Sequence, residues 1–246
     1  MKILVCISKT PDTTAKISFK DEQTQFNEDG VQYIMNPYDE WYALVKALEI
    51  KEKEGGSVTV IHVGPPTNDT IIRKALAIGA DNAIRVDKEA SNSLDVARQV
   101  AAVAKDKGYD IIITGKETIN YNGSEVGGMI AGLFGIPFVS YATALSVEGS
   151  NAEVARDIEG GSEILLVPIP LVVSAAKGLA EQRIPNMRGI MMAKSKPLEV
   201  LAPREGHDHV VISHYDLPSQ RTSCKLVDPD EMDQLVKLLH EEAKVI

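Results

Sequence analysis

The sequence of 246 residues contains little cysteine and no long apolar run. Its two cysteines, Cys6 and Cys224, stand in unrelated contexts, which is typical of a reducing compartment, so we expect a cytoplasmic location. No apolar run approaches the roughly 20 residues of a transmembrane helix, and the N-terminal segment becomes polar too soon for a signal peptide. The composition therefore predicts neither a secreted protein nor one that spans a membrane.

Basic residues are also too few for a nucleic-acid-binding protein. The chain has 26 Lys and Arg against 35 Asp and Glu, a net charge of −9, whereas phosphate backbones require a clustered basic face. The charge is uneven, because residues 183–204 carry five cations and one anion. Charge alone favours a solvated loop for this basic segment, but its position in an acidic protein needs an explanation.

Motifs for catalysis or metal binding are missing as well. There is no GxSxG or CxxC sequence, and no carboxylate pair lies in a shared glycine-rich context. His62 ends an apolar segment and is predicted to be a hydrogen-bonded structural histidine. His207, Asp208 and His209 resemble metal ligands, but neighbours in an irregular segment rarely bind a metal without a further ligand. We therefore predict no catalytic residue and no metal site.

Strand and helix patterns alternate over the first two thirds of the chain. Apolar runs predict strands at 2–7, 57–63, 82–86 and 110–114. Amphipathic patterns predict helices at 67–78, 93–107 and 123–134, and a further helix capped by Asn36 with Pro37 at its first position. Such alternation is typical of right-handed crossovers. The fold class is therefore α/β, with a doubly wound, mostly parallel sheet.

The pattern changes after residue 140. Segments 145–148, 153–158 and 163–167 are separated by turn residues, which predicts an antiparallel edge hairpin, and 170–175 is a further strand. Residues 177–223 show little regular pattern, and a helix capped by Asp228 ends the chain. We expect a nucleotide-binding domain over 1–182 and an extended C-terminal arm over 183–246 that ends in a helix.

Ligands of an open parallel sheet bind beyond the carboxyl ends of its strands. Four segments leave such ends, at 8–12, 35–39, 63–67 and 115–126. The last combines glycines, hydroxyls and amides before a helix N-terminus, where backbone N–H groups can hold a phosphate. It matches neither GxGxxG nor the Walker loop, and a glycine-rich turn without a ligand could have the same composition.

Taken in order, several segments resemble the β subunit of electron-transfer flavoproteins nearly from end to end. They are KILVCISKTPD, MNPYDE, IRKALAIGAD, ARDIEGGSEILLVPIPLVVSA, RIPNMRGIMMAKSKPLEV and PSQRT. The most specific match consists of Arg156, Ile158, Gly160, Gly161, Glu163 and Pro170. Residue Arg156 could contact a partner subunit or form an internal ion pair, and the sequence does not distinguish these roles.

The resemblance implies a heterodimer whose α subunit supplies most of the FAD site. It implies an electron carrier, not an enzyme, between flavin-linked dehydrogenases and a quinone reductase, with an AMP of structural role in the β subunit. Matching positions assign the AMP contacts to Cys6, Asn36, Pro37, Val63, Gly115, Asn120, Asn122, Gly123, Ser124, Glu125 and Val126. These positions agree with the ligand site expected beyond the carboxyl ends of the parallel strands.

The resemblance also assigns residues 183–192 as a recognition loop that docks on the dehydrogenase, within an arm that contacts the partner subunit. Its proposed contact residues are Arg183, Ile184, Pro185, Met187 and Ile190. Met187 occupies the position of an apolar anchor, and methionine suits that role because it is flexible and polarizable. The loop coincides with the basic segment.

Two alternatives stay open. Bifurcating relatives hold a second FAD in place of AMP, react with NADH and tend to have paired aspartates where this chain has Asn120 and Asn122. The family commonly has an aromatic residue where Thr13 stands. A stand-alone nucleotide-binding module similar to universal stress proteins would leave residues 177–246 without a role. The asparagines favour the AMP-binding, non-bifurcating type.

Overall fold

The computed structural model describes residues 1–105, 107–206, 210–219 and 223–246. Its strands are β1 (Lys2–Cys6), β2 (Lys9–Pro11), β3 (Phe19–Lys20), β4 (Gln25–Phe26), β5 (Tyr33–Met35), β6 (Ser57–Val63), β7 (Asn82–Val86), β8 (Ile111–Gly115), β9 (Phe138–Glu148), β10 (Asn151–Ile158), β11 (Gly161–Pro168), β12 (Leu171–Ala175) and β13 (Leu198–Leu201). Its α-helices are α1 (Asp39–Glu54), α2 (Asp69–Ile78), α3 (Ser93–Lys105), α4 (Val126–Phe134), α5 (Met187–Ala193) and α6 (Met232–Lys237). No helix in these ranges is long and apolar enough to cross a bilayer.

Nine strands form one sheet in the order β11-β10-β9-β12-β8-β1-β6-β7-β13. Strands β12, β8, β1, β6, β7 and β13 pair in parallel, whereas β9, β10 and β11 form an antiparallel edge. The chain first builds outward from β1 through β6 and β7, then continues with β8 on the other side. The predicted doubly wound fold with an antiparallel edge hairpin is confirmed, and the topological switch lies between β1 and β8.

Both faces of the central parallel strands are buried, which explains why these strands are continuous apolar runs. Ile3 and Val5 of β1 pack in a cluster with α1 and α2 on one face. Leu4 between them points to the opposite face, in a cluster with α3 and α4. Successive strand side chains alternate in direction, so β1 alone contributes to both layers of the core.

The segment after residue 177 contains more regular structure than its sequence predicts. Helix α5 packs against α2, and β13 pairs in parallel with β7 through the register Leu198↔Ala83. A backbone hydrogen bond from Ala83 N to Pro197 O precedes this pairing. The expectation of little regular structure was wrong there, because an edge strand that completes a sheet needs only four residues and no long periodic pattern.

Two predicted helix caps were also wrong. Helix α1 begins at Asp39 with Tyr38 before it, and Asn36 uses its side chain elsewhere. The carboxylate of Asp228 accepts from Asp230 N at 3.0 Å in a turn that precedes α6, which begins only at Met232. A local turn bond thus replaces the cap at Asp228, as is common for Asp side chains, whereas the side chain of Asn36 bonds Glu117 and Ile119, about 80 residues further along the chain.

The described chain forms two compact units. The larger comprises residues 1–17 and 28–212, and the smaller comprises residues 18–27 and 213–246. This division differs from the predicted boundary at residue 182, because β13 joins the sheet of the larger unit. Within the smaller unit the Phe19 ring stacks on Tyr215, with centroids 4.8 Å apart, and Tyr215 N donates to Gln23 O. No residue of α6 is buried.

Candidate functional site

Asn36 ties the loop that follows β8 to the start of α1. Its side chain is almost completely buried, and its Nδ2 donates to Glu117 O at 3.0 Å. Its Oδ1 accepts from Ile119 N at 3.2 Å. Lys116 N donates to Ala175 O at the end of β12, so this loop is held from two sides. The side-chain amide of Asn36 therefore satisfies one backbone acceptor, at Glu117, and one backbone donor, at Ile119, of the loop that follows β8.

Glu40 joins the carboxyl ends of β1 and β8. Its buried carboxylate accepts from both Ser8 N and Ser8 Oγ, each at 2.6 Å. A Cβ at Gly115 would lie 2.8 Å from Glu40 Cγ, so the close approach of the two segments requires glycine. Burial raises the pKa of Glu40 to about 8, because a charged carboxylate is costly away from water.

A cleft of about 330 Å³ opens beside these groups. It is lined by Asn36, Tyr38, Asp39, Tyr42, Lys116, Glu117, Ile119, Asn122 and Lys177. Lys116 Nζ lies 2.9 Å from Glu117 Oε1, and this pairing raises the pKa of Lys116. Burial raises the pKa of Asp39. The mixture of amides, aromatic rings and charges of both signs suits a polar ligand with an aromatic part.

Helix α4 presents an uncapped N-terminus at the end of the same loop. Glu125 precedes it without a side-chain cap, and its first turn contains Gly127 and Gly128 but no acidic residue. A Cβ at Gly127 would lie 2.8 Å from Thr114 Oγ1, so α4 packs directly on the sheet. The first backbone N–H groups of a helix have no intrahelical acceptor, and together with the helix dipole they favour an anion.

The loop before α4 is a compact turn structure. Asn122 and Ser124 have φ values of 51° and 53°, in the left-handed region that few residues other than glycine adopt. Asn122 N donates to Thr118 O, and Ser124 Oγ lies 3.2 Å from Glu117 Oε2. These bonds within the loop hold its backbone in a shape that sequence patterns do not reveal.

The structure distributes the predicted nucleotide contacts over one edge of the sheet. Asn36 and Asn122 line the cleft, and Gly115 lies against Glu40. Cys6 and Val63 end the adjacent strands β1 and β6. The other predicted contacts lie beside these strand ends or in the 115–126 segment, and they are Pro37, Asn120, Gly123, Ser124, Glu125 and Val126. Burial raises the pKa of the Cys6 thiol far above its usual range, which makes that thiol inert.

Sequence reasoning missed several groups of the site. Glu40 stands in the first turn of a helix, where an acid normally needs no further explanation. Lys177 reaches the cleft from the end of β12, far along the chain from Asn36. The signal for Glu40 was its position on an apolar helix face beside Ala43 and Leu44, which are buried. No local signal existed for Lys177.

His62 and Arg156 have internal partners. His62 Nδ1 lies 2.9 Å from Ile7 O and its Nε2 lies 2.9 Å from Asn68 Nδ2, so the prediction of a hydrogen-bonded structural histidine is confirmed. Burial lowers the pKa of His62, which keeps the ring neutral. Arg156 forms an ion pair with Glu163 on the neighbouring strand. This is the internal ion pair that the sequence left open beside contact with a partner subunit.

Within the ranges that the structure describes, no group of three His, Cys, Asp or Glu side chains is arranged to hold a metal ion. His207, Asp208 and His209 lie outside these ranges.

The predicted recognition loop forms helix α5 and the turn before it. Asn186 caps the helix, because its side chain accepts from Gly189 N at 2.8 Å. Large apolar side chains of this segment are exposed, with 88% of Ile184, 74% of Met187 and 70% of Met191 accessible. Contiguous exposed apolar groups of this kind indicate an interaction surface.

Comparison with known proteins identifies the family. The model of the electron transfer flavoprotein domain matches residues 23–205. The "Electron transfer flavoprotein subunit beta" of Bacillus subtilis is 34% identical over 260 residues, which cover all of both chains. The chain belongs to the electron transfer flavoprotein β-subunit family. The protein of the same name from Homo sapiens is 35% identical over 249 residues, covering 97% of this chain and 96% of the human one. The protein of the same name from Syntrophomonas wolfei is 34% identical over 236 residues, which cover 94% of this chain and 92% of the Syntrophomonas wolfei one.

The electron transfer flavoprotein match confirms the resemblance seen in the sequence motifs. It also spans the elements that build the cleft, since residues 23–205 include α1, the loop after β8, α4 and α5. The cleft and the exposed face of α5 are therefore parts of the family domain.

Proposed function

We propose that this chain is the β subunit of a heterodimeric electron transfer flavoprotein. With an α subunit that holds most of the FAD, it carries electrons from flavin-linked dehydrogenases to a quinone reductase in the cytoplasm. The observation that carries the proposal is the match along the whole chain to proteins named as β subunits of this family. Both cysteines are free, as expected for a protein of a reducing compartment.

We further propose that the β subunit binds AMP at the edge of the sheet described above. Asn36, Asn122 and the uncapped N-terminus of α4 would hold the nucleotide, and Lys116 and Lys177 provide positive charge in the cleft. Because AMP contributes no redox chemistry, its role is to fill and stabilise the site. A ligand that binds only the folded state raises stability in proportion to the logarithm of its concentration over Kd.

The alternative of a bifurcating protein would put a second FAD in the same place. Asn120 and Asn122 are neutral where bifurcating relatives tend to have aspartates, so two negative charges are missing beside the phosphate site. The neutral side chains favour a nucleotide that stays bound as a structural ligand. We therefore assign AMP, not a second flavin, to this site.

The experiment is to co-express the chain with its α subunit, denature the purified heterodimer and separate the released nucleotides by chromatography. We expect a yellow heterodimer that releases about one FAD and one AMP. Two FAD per heterodimer together with reduction by NADH would support the bifurcating alternative. A colourless complex that releases no nucleotide would contradict both assignments.

A further inference from the structure

The recognition loop, residues 183–192, is fastened to α1 at its beginning. The guanidinium of Arg183 donates to both carboxylate oxygens of Glu52, at 2.5 and 2.8 Å. The carbonyl of Arg183 also accepts from Trp41 Nε1 at 3.2 Å. A bidentate pair of this kind fixes direction as well as distance. Both the side chain and the backbone of Arg183 are therefore committed to α1.

The end of the loop is fastened to α2. Arg73 Nη1 donates to the carbonyls of Ala193 at 2.8 Å and Lys196 at 2.7 Å. In return Lys196 Nζ donates to Leu76 O at 2.9 Å and Ala80 O at 2.6 Å. Leu76 O lies in the last turn of α2 and Ala80 O just beyond it, where acceptors lack intrahelical donors and the helix dipole favours a cation. We call the contacts at Glu52 and Arg73 the two clasps.

Between the clasps, α5 lies directly on the backbone of α2. A Cβ at Gly189 would lie 2.5 Å from Ala77 O, so a larger residue there would push the helix outward. The same packing turns Ile184, Met187 and Met191 toward solvent. The exposed apolar face is thus presented by a segment that is held at both ends and pressed on α2 in the middle.

The clasps also change the interpretation of the basic segment. Arg183 and Lys196 are two of its five cations, and both are engaged inside this chain. Their charge therefore serves to hold the loop, while its apolar side chains are left for contact.

We propose that Glu52 and Arg73 are positioning residues for docking of the electron-donating dehydrogenase. They hold the recognition loop in its docking shape before the partner arrives. Preorganisation strengthens binding because the loop does not lose its conformational freedom on association. The inference rests on the proposed function, in which the exposed face of α5 contacts the dehydrogenase.

The test is Glu52→Gln in the intact heterodimer, assayed with a purified flavin-linked dehydrogenase that reduces the wild-type heterodimer. We expect the KM for the heterodimer to rise about fivefold, in line with the loss of one well-formed exposed pair. The kcat and the FAD content should stay unchanged. Glu54→Gln is the matched control, since Glu54 lies on the same helix and pairs with Lys53. Its KM should equal that of the wild type.

A charge reversal separates a positioning role from direct contact of Arg183 with the partner. If Glu52 acts by positioning, the double variant Glu52→Arg with Arg183→Glu should restore the KM to within about twofold of the wild type. Direct contact predicts the opposite pattern, in which Glu52→Gln leaves the KM unchanged and the double variant raises it. That pattern would overturn the proposal.

Hydrogen exchange tests the loop without any partner. In the free heterodimer, Glu52→Gln and Arg73→Gln should each speed the exchange of the amides of 184–192, while Glu54→Gln should not. Equal exchange in all four proteins would contradict the clasps. Met187→Asp separates the docking role of the loop from the positioning role of Glu52. If the KM of Met187→Asp is unchanged, the docking role of the loop is refuted. If the KM of Met187→Asp rises while that of Glu52→Gln does not, only the positioning role is refuted.

Discussion

The carboxylate of Glu40 accepts hydrogen bonds from the backbone N–H and the hydroxyl of Ser8, both at 2.6 Å. This contact joins the first turn of α1 to the segment that leaves β1. The negative charge of Asp39 on the same helix opposes ionisation of Glu40, and the charge of Glu40 in turn raises the pKa of the Cys6 thiol on β1. A protonated Glu40 would keep both bonds, accepting from Ser8 N and donating to Ser8 Oγ.

The first prediction concerns the pH dependence of stability. Because burial raises the pKa of Glu40 from 4.5 to about 8, the folded state binds more protons than the unfolded state between these values. The free energy of unfolding therefore falls as the pH rises through this window. In Glu40→Gln, which imitates the protonated acid, this contribution is absent. We expect the variant to gain about 1–3 kcal/mol relative to wild type between pH 5 and pH 8.

Urea unfolding of both proteins at several pH values measures this difference. The titrations of groups that do not interact with Glu40 cancel in the comparison of the two proteins. Parallel stability profiles from pH 5 to pH 8 would show that Glu40 is ionised throughout that range.

The second prediction concerns the amide that holds the nucleotide loop. Asn36→Ala leaves Glu117 O and Ile119 N without their partner in a partly buried position. We expect a loss of about 1–3 kcal/mol in stability and a lower content of AMP in the purified heterodimer. Asn151→Ala, in the edge hairpin, is the control and should retain AMP. Full retention of AMP in Asn36→Ala would remove Asn36 from the proposed site.

The third prediction compares two glycines. A methyl group at Gly115 would lie 2.8 Å from Glu40 Cγ, whereas one at Gly132 within α4 would have no neighbour within 4 Å. Gly115→Ala should therefore cost about 1–3 kcal/mol. Gly132→Ala should stabilise the protein by about 0.5–1 kcal/mol, because alanine favours the helix. Thermal unfolding of the two variants measures both effects, and equal shifts would refute the tight contact at Gly115.

The fourth prediction concerns the exposed apolar face of α5. Met187→Asp places a charge where the proposed dehydrogenase contact is apolar, and should weaken coupled reduction at least about tenfold. FAD content should not change. Lys105→Asp also introduces an exposed aspartate, on the helix layer opposite α2, and should reduce coupled turnover far less. Unaltered turnover of Met187→Asp would show that this side chain is not the anchor.

The sequence by itself determined the central, parallel part of the sheet. Apolar runs such as 57–63 and 110–114 are too short for buried helices and too continuous for half-exposed strands, so they had to become central parallel strands. Right-handed crossovers then bring their carboxyl ends to one edge. That rule located the 115–126 segment at this edge, but it did not place Asn36, because Asn36 follows β5, which pairs with β2 in a separate two-stranded sheet.

Only the tertiary structure decided how individual polar side chains are used. Asn36 had the local signature of a helix cap, yet it holds a loop that lies about 80 residues further along the chain. Arg183 and Lys196 had the pattern of surface charges, yet Arg183 binds Glu52 of α1 and Lys196 binds backbone carbonyls at the end of α2. The physical reason is that apolar burial follows local periodicity, whereas a hydrogen bond or ion pair depends on which distant groups the completed fold brings within about 3 Å.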